Sequence, residues 1–274
     1  MIKKALGRLG RRMRPEPDEN AQRSVDPGRV PFSTYPEKNE WYAPLLCSAE
    51  SFRDRVAGSE VVNRAIEVLE KLTLDRYSDF LLDFYRMGVE RFGSNWDYAD
   101  INTVLLGLTS ALGVRSYMEI GVRRGRSMAM VAAASPHCSI AGFDLWIPGY
   151  AGMENPGKEF VRKELETIGF GGSLCFIDGD SKETVPAFFA KRPQKFFDLI
   201  TVDGDHTIAG AERDLANVVS RLKIGGALVF DDIAHPDHPW LGSVWQRKIV
   251  DSGQFSTYSF KDVGFGVGFG LRKD

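Results

Sequence analysis

The chain has 274 residues, of which 43% are hydrophobic and 26% are charged, and its formal net charge is -2. This balance is typical of an ordinary globular protein and argues against nucleic-acid binding as its main activity. The length allows one large domain, or a domain of ordinary size with an extension, so a sizeable buried core is expected.

The first 14 residues are basic and include no acidic residue. They favour a frayed basic tail, because short helices are marginal in isolation. The alternative is a short amphipathic helix that touches an anionic membrane surface or a partner, since apolar residues fall near helical spacing. Residues 15–40 are rich in Pro, Gly and charged residues without periodicity and predict a linker, so residues 1–48 are treated as one N-terminal segment.

The sequence lacks the run of about eighteen apolar residues that a membrane span requires. Its basic start also lacks the apolar region of a secretory signal. We therefore expect a cytoplasmic protein without a transmembrane segment. The three cysteines, Cys47, Cys138 and Cys175, are widely spaced, which predicts free core thiols and not a disulfide set or a zinc site.

Residues 49–113 predict a helical region, because apolar residues recur at helical spacing. The last helix is expected at residues 98–112, with Asn95 or Asp97 as its N-cap and Gly113 at its C-terminal end. Such a region, together with the loop at residues 147–157, is where a substrate lid is expected. We also expect the protein to form a homo-oligomer through these helices.

After residue 113 the pattern changes to short apolar runs that alternate with helical stretches. This alternation predicts a parallel sheet with crossover helices. No helix separates the last two runs, which predicts an antiparallel pair closing the sheet. Residues 114–274 are therefore expected to form an α/β domain, a Rossmann-like seven-stranded, mostly parallel sheet with the last strand antiparallel and helices on both faces. The predicted strands are residues 116–120, 139–143, 173–177, 197–202, 227–230, 255–260 and 265–271.

A glycine turn connects the first predicted strand to the first helix of this domain. Gly121 and Gly125 have the spacing G-x-x-x-G, which differs from the G-x-G-x-x-G of nicotinamide sites. A glycine turn at this place brings the backbone close to a cofactor. By itself it is equally compatible with a purely structural connection.

Acidic residues follow each of the next four predicted strands. Ligands of open parallel sheets bind outside these carboxyl ends. Asp144, about twenty residues past the glycine turn, is placed to accept hydrogen bonds from both hydroxyls of a ribose. The alternative is that strand-end aspartates cap the helices that follow them. The acidic residues are Asp144, Asp178, Asp180, Asp203, Asp205, Asp231 and Asp232.

These motifs resemble class I S-adenosylmethionine-dependent methyltransferases over about residues 113–272. The segments that carry the resemblance are Glu119-x-Gly121-x-x-x-Gly125, Asp144, Gly179-Asp180-Ser181, the run from Phe197 to His206 with Asp203-Gly204-Asp205-His206, and the run from Leu222 to Asp232. The last two are most similar to the branch of macrolide-sugar and small-molecule O-methyltransferases. The helical region before residue 113 is not covered.

The resemblance implies which residues hold the cofactor, S-adenosyl-L-methionine. Glu119 and Gly121 would lie under its methionine portion, Asp144 would hold the ribose hydroxyls, and Asp180 with Ser181 would flank the adenine. We also assign Gly125, Ser127 and Asp203 to this site. Arg123 and Arg124 stand where the family often has small residues, so their side chains either point away from the cofactor or reach toward an anionic substrate.

A metal site is predicted where two neighbouring strands end. Asp203 ends one strand and Asp231 and Asp232 end the next, and neighbouring strands lie about 4.8 Å apart. Three carboxylates that close repel one another unless they share a cation, and an all-oxygen site suits Mg²⁺, or else Ca²⁺ or Mn²⁺. Metal-dependent relatives also carry ligands at these positions. The alternative is a metal-free site in which the acids only bind the cofactor and cap helices.

His206 is the candidate general base, with Asp203 beside it as a second catalytic residue. It occupies the position at which catechol-type relatives carry a catalytic lysine, and an imidazole titrates near neutral pH. The alternative is that His206 only caps a helix or orients Asp205. His235 and His238, on a loop with two prolines, and Tyr150 are predicted to line the acceptor pocket.

The sequence therefore predicts an S-adenosylmethionine-dependent O-methyltransferase, assisted by Mg²⁺. Its expected acceptor is a hydroxyl of a small molecule, such as a sugar or a glycosylated natural product. Two alternatives remain open at this point, a metal-independent methyltransferase of another acceptor and a nucleotide-binding protein that does not transfer methyl groups.

Overall fold

A computed structural model describes residues 45–273 of the chain. The basic segment at residues 1–14 and the predicted linker at residues 15–40 lie outside this part, so both stay predictions. Among the helices of residues 45–273, none is both long and apolar enough to cross a membrane.

The described chain begins with four helices that precede the sheet, α1 Arg53–Ala57, α2 Ser59–Leu69, α3 Arg76–Phe92 and α4 Ile101–Leu112. The predicted start of α4 is wrong by three residues. Asp100 is its N-cap, because its carboxylate accepts the backbone N–H of Thr103 at 3.0 Å while the Thr103 hydroxyl accepts the Asp100 N–H at 3.1 Å. The predicted end is confirmed, since Gly113 adopts a left-handed conformation with φ of 61°.

The rest of the chain forms one seven-stranded sheet, as predicted. Its order is β3-β2-β1-β4-β5-β7-β6, and β7 alone runs antiparallel to its two neighbours. The last strand thus lies between β5 and β6, and β6 is the edge. The strands are β1 Ser116–Ile120, β2 Ser139–Asp144, β3 Ser173–Asp178, β4 Phe197–Val202, β5 Leu222–Asp231, β6 Phe255–Phe260 and β7 Val267–Arg272. The helices between them are α5 Arg126–Ala134, α6 Lys158–Thr167, α7 Ser181–Lys191, α8 Ile208–Val218 and α9 Trp240–Trp245.

Both faces of the sheet are covered by helices, and alternate residues of a strand enter different cores. On β1, Tyr117 packs in a core that includes residues of α2, α3 and α4, while Met118 packs in a second core with residues of α7 and α8. The N-terminal helices therefore share a core with the sheet. The expectation of three core thiols is wrong for Cys175, which is exposed because β3 is an edge strand.

The strand order places a crevice at the carboxyl ends of β1 and β4, where the chain winds outward in opposite directions. Gly121 follows β1 with φ of 91°, and a Cβ on it would lie 1.9 Å from the backbone oxygen of Asp203 after β4. Gly125 has φ of 75°, and a Cβ there would lie 2.5 Å from Val161 Cγ1. The two glycines of the turn are thus required for close packing as well as for backbone conformation.

Candidate active site

A cavity of about 920 Å³ opens at the carboxyl ends of β1, β2, β4 and β5 and is bounded on one side by α3 and α4. It is lined by all the predicted site residues except Glu119. The glycine turn and the acidic strand ends thus meet in one space that is large enough for a nucleotide cofactor and a small acceptor. The lining residues predicted from the sequence are Gly121, Gly125, Ser127, Asp144, Tyr150, Asp180, Ser181, Asp203, His206, Asp231, Asp232, His235 and His238.

Glu119 lies in the core below the glycine turn and is fully buried. Tyr117 donates its hydroxyl hydrogen to Glu119 Oε2 at 2.9 Å, and the Ser127 hydroxyl donates to Oε1. Burial is the main reason that the pKa of Glu119 rises to about 8. The direct contacts of Glu119 and Ser127 are therefore with each other and with β1, and their contact with a cofactor stays a prediction.

Asp144 ties the glycine turn to the end of β2. Its Oδ2 accepts the backbone N–H of Val122 at 2.8 Å and of Arg123 at 2.7 Å, and its Oδ1 accepts that of Trp146. The carboxylate thus fixes the shape of the turn from within the cavity wall. Its predicted hydrogen bonds to a ribose would use the remaining acceptor capacity of Oδ1.

Asp180 and Ser181 lie at the start of α7. Asp180 caps this helix by accepting the N–H of Lys182 at 2.9 Å, and the Ser181 hydroxyl donates to Asp214 Oδ1 at 2.7 Å. Asp214 is buried, which raises its pKa to about 6. Sequence reasoning missed Asp214, although an acid on the apolar face of α8, between Ala211 and Val218, was a usable signal.

Asp203, His206 and Asp232 form a cluster at the ends of β4 and β5. Nε2 of His206 lies 3.3 Å from Asp203 Oδ1, and its Nδ1 lies 3.7 Å from Asp232 Oδ2. Among the described residues, these three supply ligand atoms that all lie within 4.8 Å of one another. The structure thus brings together two of the three predicted metal ligands with the predicted base, and the metal role of all three acids stays a prediction.

The charges of this cluster shift the pKa values of its members. Burial, and then repulsion by Asp203, raise the pKa of Asp232 to about 7. Burial, and then repulsion by Asp232 and Asp203, raise the pKa of Asp231 well above its usual range. Burial alone would lower the pKa of His206, but its hydrogen bond to Asp203 and the surrounding carboxylates raise it. The cluster is therefore a place that favours an added positive charge.

Several aromatic side chains line the cavity next to this cluster. The His238 ring lies 5.0 Å from the His206 ring and 4.8 Å from the His235 ring, between ring centroids. His235 packs on Phe265 with a centroid distance of 4.1 Å, and Trp240 donates its indole N–H to the His206 carbonyl oxygen at 2.6 Å. His235 and His238 thus lie where an acceptor would approach His206.

Another part of the cavity wall comes from the N-terminal helices, to which sequence reasoning assigned no site residues. Tyr77 and Phe80 of α3, with Tyr98 before α4, line the cavity, and Tyr98 packs on Phe84 with a centroid distance of 5.0 Å. Asp75 anchors this wall to the glycine turn, because its carboxylate pairs with the arginines at positions 124 and 126. The density of aromatic residues in α3 was the available signal.

The fold and the cavity are typical of α/β proteins that bind a nucleotide at the carboxyl edge of the sheet. Residues 118–233 match a family model described as a methyltransferase domain. The matched residues include the glycine turn, Asp144, His206 and the acids that follow β4 and β5, so this part of the chain is similar to methyltransferase domains.

Solved structures that share this fold include two O-methyltransferases. The O-methyltransferase NovP matches with a TM-score of 0.54 and 17% identity over 79% of this chain and 100% of its own. TomG from Streptomyces achromogenes, an O-methyltransferase involved in tomaymycin synthesis and solved in complex with SAM, matches with a TM-score of 0.50 and 18% identity over 78% of this chain and 90% of its own. The search of curated proteins gave no significant match.

Proposed function

We propose that this protein transfers the methyl group of S-adenosylmethionine to a hydroxyl group of a small-molecule acceptor, with His206 as the general base. The observation that carries the proposal is the position of His206. It lies between Asp203 and Asp232, inside the same cavity that the glycine turn lines. TomG and NovP, which have the same fold, are O-methyltransferases by name and support the choice of oxygen as the acceptor atom.

The cofactor fits the donor set of the cavity. Asp144 offers a carboxylate at the end of β2 for ribose hydroxyls, and Asp180 with Ser181 lies at the start of α7, beside the expected adenine. Gly121 lets the glycine turn pack directly against the backbone of Asp203, so the turn and the end of β4 share one wall of the cavity. Bound there, S-adenosylmethionine supplies a methyl group that its sulfonium already activates, so the protein has to align the acceptor and remove a proton.

His206 is suited to take the proton of the acceptor hydroxyl when its imidazole is neutral. The new C–O bond forms as the C–S bond breaks, and the hydroxyl proton moves to a ring nitrogen of His206. Asp203 and Asp232 hold the ring from both sides and stabilise the imidazolium that results. Asp203 thus acts through His206, by orientation and by charge.

A divalent cation also fits this cluster. Asp203 and Asp232 supply ligand atoms within 4.8 Å of each other, and Asp231 at the end of β5 lines the same cavity. Carboxylate oxygens suit Mg²⁺, whereas a ligand set that includes the His206 nitrogen favours Mn²⁺ or a later transition metal. A cation held there would lower the pKa of an acceptor hydroxyl.

The acceptor side of the cavity favours a small organic molecule with a flat or apolar face. Tyr77, Phe80 and Tyr98 line the cavity, and so do Phe265 and Trp240, which contact the histidines. Aromatic walls bind sugar rings and aromatic rings by stacking, so a sugar or a glycosylated natural product is our proposed class. A cytoplasmic location and assembly into homo-oligomers stay predictions.

Two measurements test this function in order. Calorimetry is expected to show that S-adenosylhomocysteine binds in preference to NADH, and Asp144→Ala is expected to weaken that binding. A screen of hydroxylated acceptors with labelled S-adenosylmethionine is then run with and without EDTA. Binding of NADH instead would contradict the proposed cofactor. Methylation only of nitrogen or carboxylate acceptors would contradict the choice of a hydroxyl oxygen as the acceptor atom. Full turnover in excess EDTA would contradict a role for a metal ion.

A further inference from the structure

Arg123 is held in the glycine turn in an unusual backbone conformation. Its φ is 52°, in the left-handed region that residues other than glycine seldom adopt. Its backbone N–H donates to Asp144 Oδ2 at 2.7 Å, which fixes the backbone of the residue. The side chain lines the cavity. Residues held in strained backbone conformations concentrate at functional sites.

The neighbouring arginines of the turn have carboxylate partners. Nε of Arg124 lies 3.2 Å from Asp75 Oδ2, and Nη1 of Arg126 lies 3.3 Å from Asp75 Oδ1. Arg123 differs from both. Its Nε and Nη2 are buried and meet no hydrogen-bond partner among residues 45–273, and its guanidinium carbon lies 5.8 Å from the centroid of the Tyr150 ring.

Buried N–H groups of a cation are costly to leave without an acceptor, so this pair of donors calls for one from a ligand. Nε and Nη2 form one edge of the planar guanidinium group and present two parallel N–H groups. That arrangement matches the two oxygens of a carboxylate in a bidentate pair. The other cationic side chains of the cavity are paired with carboxylates, Arg124 and Arg126 with Asp75 and Lys182 with Asp205.

Tyr150 connects Arg123 to the proposed reaction centre. Burial raises the pKa of Tyr150 most, the carboxylates of Asp203, Asp205 and Asp232 raise it further, and Arg123 lowers it. The Arg123 guanidinium carbon lies 5.8 Å from the Tyr150 ring centroid, and Tyr150 lines the same cavity as His206 and Asp232. The guanidinium therefore lies beside a residue that is predicted to line the acceptor pocket.

We propose that Arg123 binds a carboxylate group of the acceptor, with the Tyr150 ring beside it. This inference rests on the proposed methyltransferase function and narrows its substrate class to acidic hydroxy compounds. The carboxylate would lie at Arg123 and the reacting hydroxyl would face His206. Arg123 is then a specificity-determining residue, because a neutral analogue leaves its two donors unpaired.

The test compares two probes of equal shape, 4-hydroxybenzoate and 4-hydroxybenzamide, by calorimetry on the full chain with and without saturating S-adenosylhomocysteine. The wild type is expected to bind the benzoate at least about tenfold more tightly, since charge-assisted hydrogen bonds are the stronger kind. Arg123→Gln is expected to abolish this preference and Arg123→Lys to keep part of it. Unchanged binding of S-adenosylhomocysteine to both variants shows that they are folded.

Arg162→Gln is the matched control, because Arg162 also lies 5.8 Å from an aromatic ring, that of Phe176, and is not among the cavity residues. It is expected to keep the full preference. Equal or no binding of the two probes by the wild type overturns the inference, as does a preference that survives in Arg123→Gln. Loss of S-adenosylhomocysteine affinity in Arg123→Gln with the benzoate preference retained assigns the guanidinium to the cofactor instead. A wild type that binds no S-adenosylhomocysteine contradicts the proposed function. The comparison of the two probes without S-adenosylhomocysteine does not depend on that function and tests Arg123 alone.

Discussion

Gly121 and Asp203 meet backbone to backbone where β1 and β4 end. The N–H of Asp203 donates to the carbonyl oxygen of Ile120 at 2.9 Å, and a Cβ on Gly121 would lie 1.9 Å from the carbonyl oxygen of Asp203. This contact sets the separation between the glycine turn and the acidic cluster, so the cofactor site and the proposed reaction centre depend on one glycine.

Gly121→Ala is expected to separate the two strand ends, because its methyl group would overlap a backbone oxygen that has no room to move. We expect at least a tenfold loss of S-adenosylhomocysteine affinity in calorimetry, with a lower melting temperature. Gly169→Ala is the control, since Gly169 has φ of 85° but no atom within 4 Å of the added Cβ. It carries the same backbone strain of about 1 kcal/mol without the overlap. Equal effects of the two changes would show that strain alone matters at position 121.

His206→Gln is expected to lower turnover of an acceptor found by screening by about 10² to 10⁴-fold, the usual contribution of a general base. Affinity for S-adenosylhomocysteine is expected to stay within about twofold, because the proton transfer does not involve cofactor binding. His137→Gln, at an exposed position, is the matched control. Turnover retained in His206→Gln would assign the base elsewhere, and a parallel loss of cofactor affinity would make the residue structural.

Asp232→Asn is expected to weaken binding of a divalent cation, because it removes one of the two carboxylates that flank His206. The measurement is a titration with Mn²⁺ followed by electron paramagnetic resonance, which needs no acceptor. We expect at least a tenfold weaker affinity, whereas Asp237→Asn, on the exposed part of the same loop, leaves it unchanged. Absence of Mn²⁺ binding to the wild type would leave His206 as the only positive charge of the cluster and would argue for a metal-free reaction.

Glu119→Gln is expected to change how stability depends on pH. The pKa of Glu119 is about 8 in the folded protein and 4.5 for an ordinary glutamate. Between these values the folded protein keeps a proton that the unfolded chain has lost, so the free energy of unfolding falls as pH rises, by up to about 1.4 kcal/mol per pH unit. The glutamine variant lacks this loss.

Urea unfolding at several pH values between 5 and 8 measures the effect. The variant is expected to gain stability relative to the wild type as pH rises, and to show the smallest gain at pH 5. Glu90→Gln, at an exposed position of α3, is the control for the substitution itself. A constant difference between wild type and Glu119→Gln across this range would contradict the buried, protonated state of Glu119.

The different roles of Arg123 and Arg124 in the glycine turn could not be predicted from the sequence. The sequence allowed both Arg123 and Arg124 either to avoid the cofactor or to reach an anion. Only the packing of α3 against the turn separates them, because Asp75 of that distant segment pairs with Arg124 and lies out of reach for Arg123. The start of α4 was missed for a related reason, since three acidic or amide residues precede it and the structure alone shows which one meets the free N–H groups.

The sequence by itself determined the succession of strands and helices along the chain, the glycine turn and the acids at the strand ends. These features depend on periodicity and on neighbours along the chain. The tertiary structure decided which of those acids meet. The order β1-β4-β5 places Asp203 and Asp232 on the two sides of His206, while Asp144 turns its carboxylate to the glycine turn. Distances between groups on different strands follow from strand order and side-chain packing, and neither is written in the local pattern of a single segment.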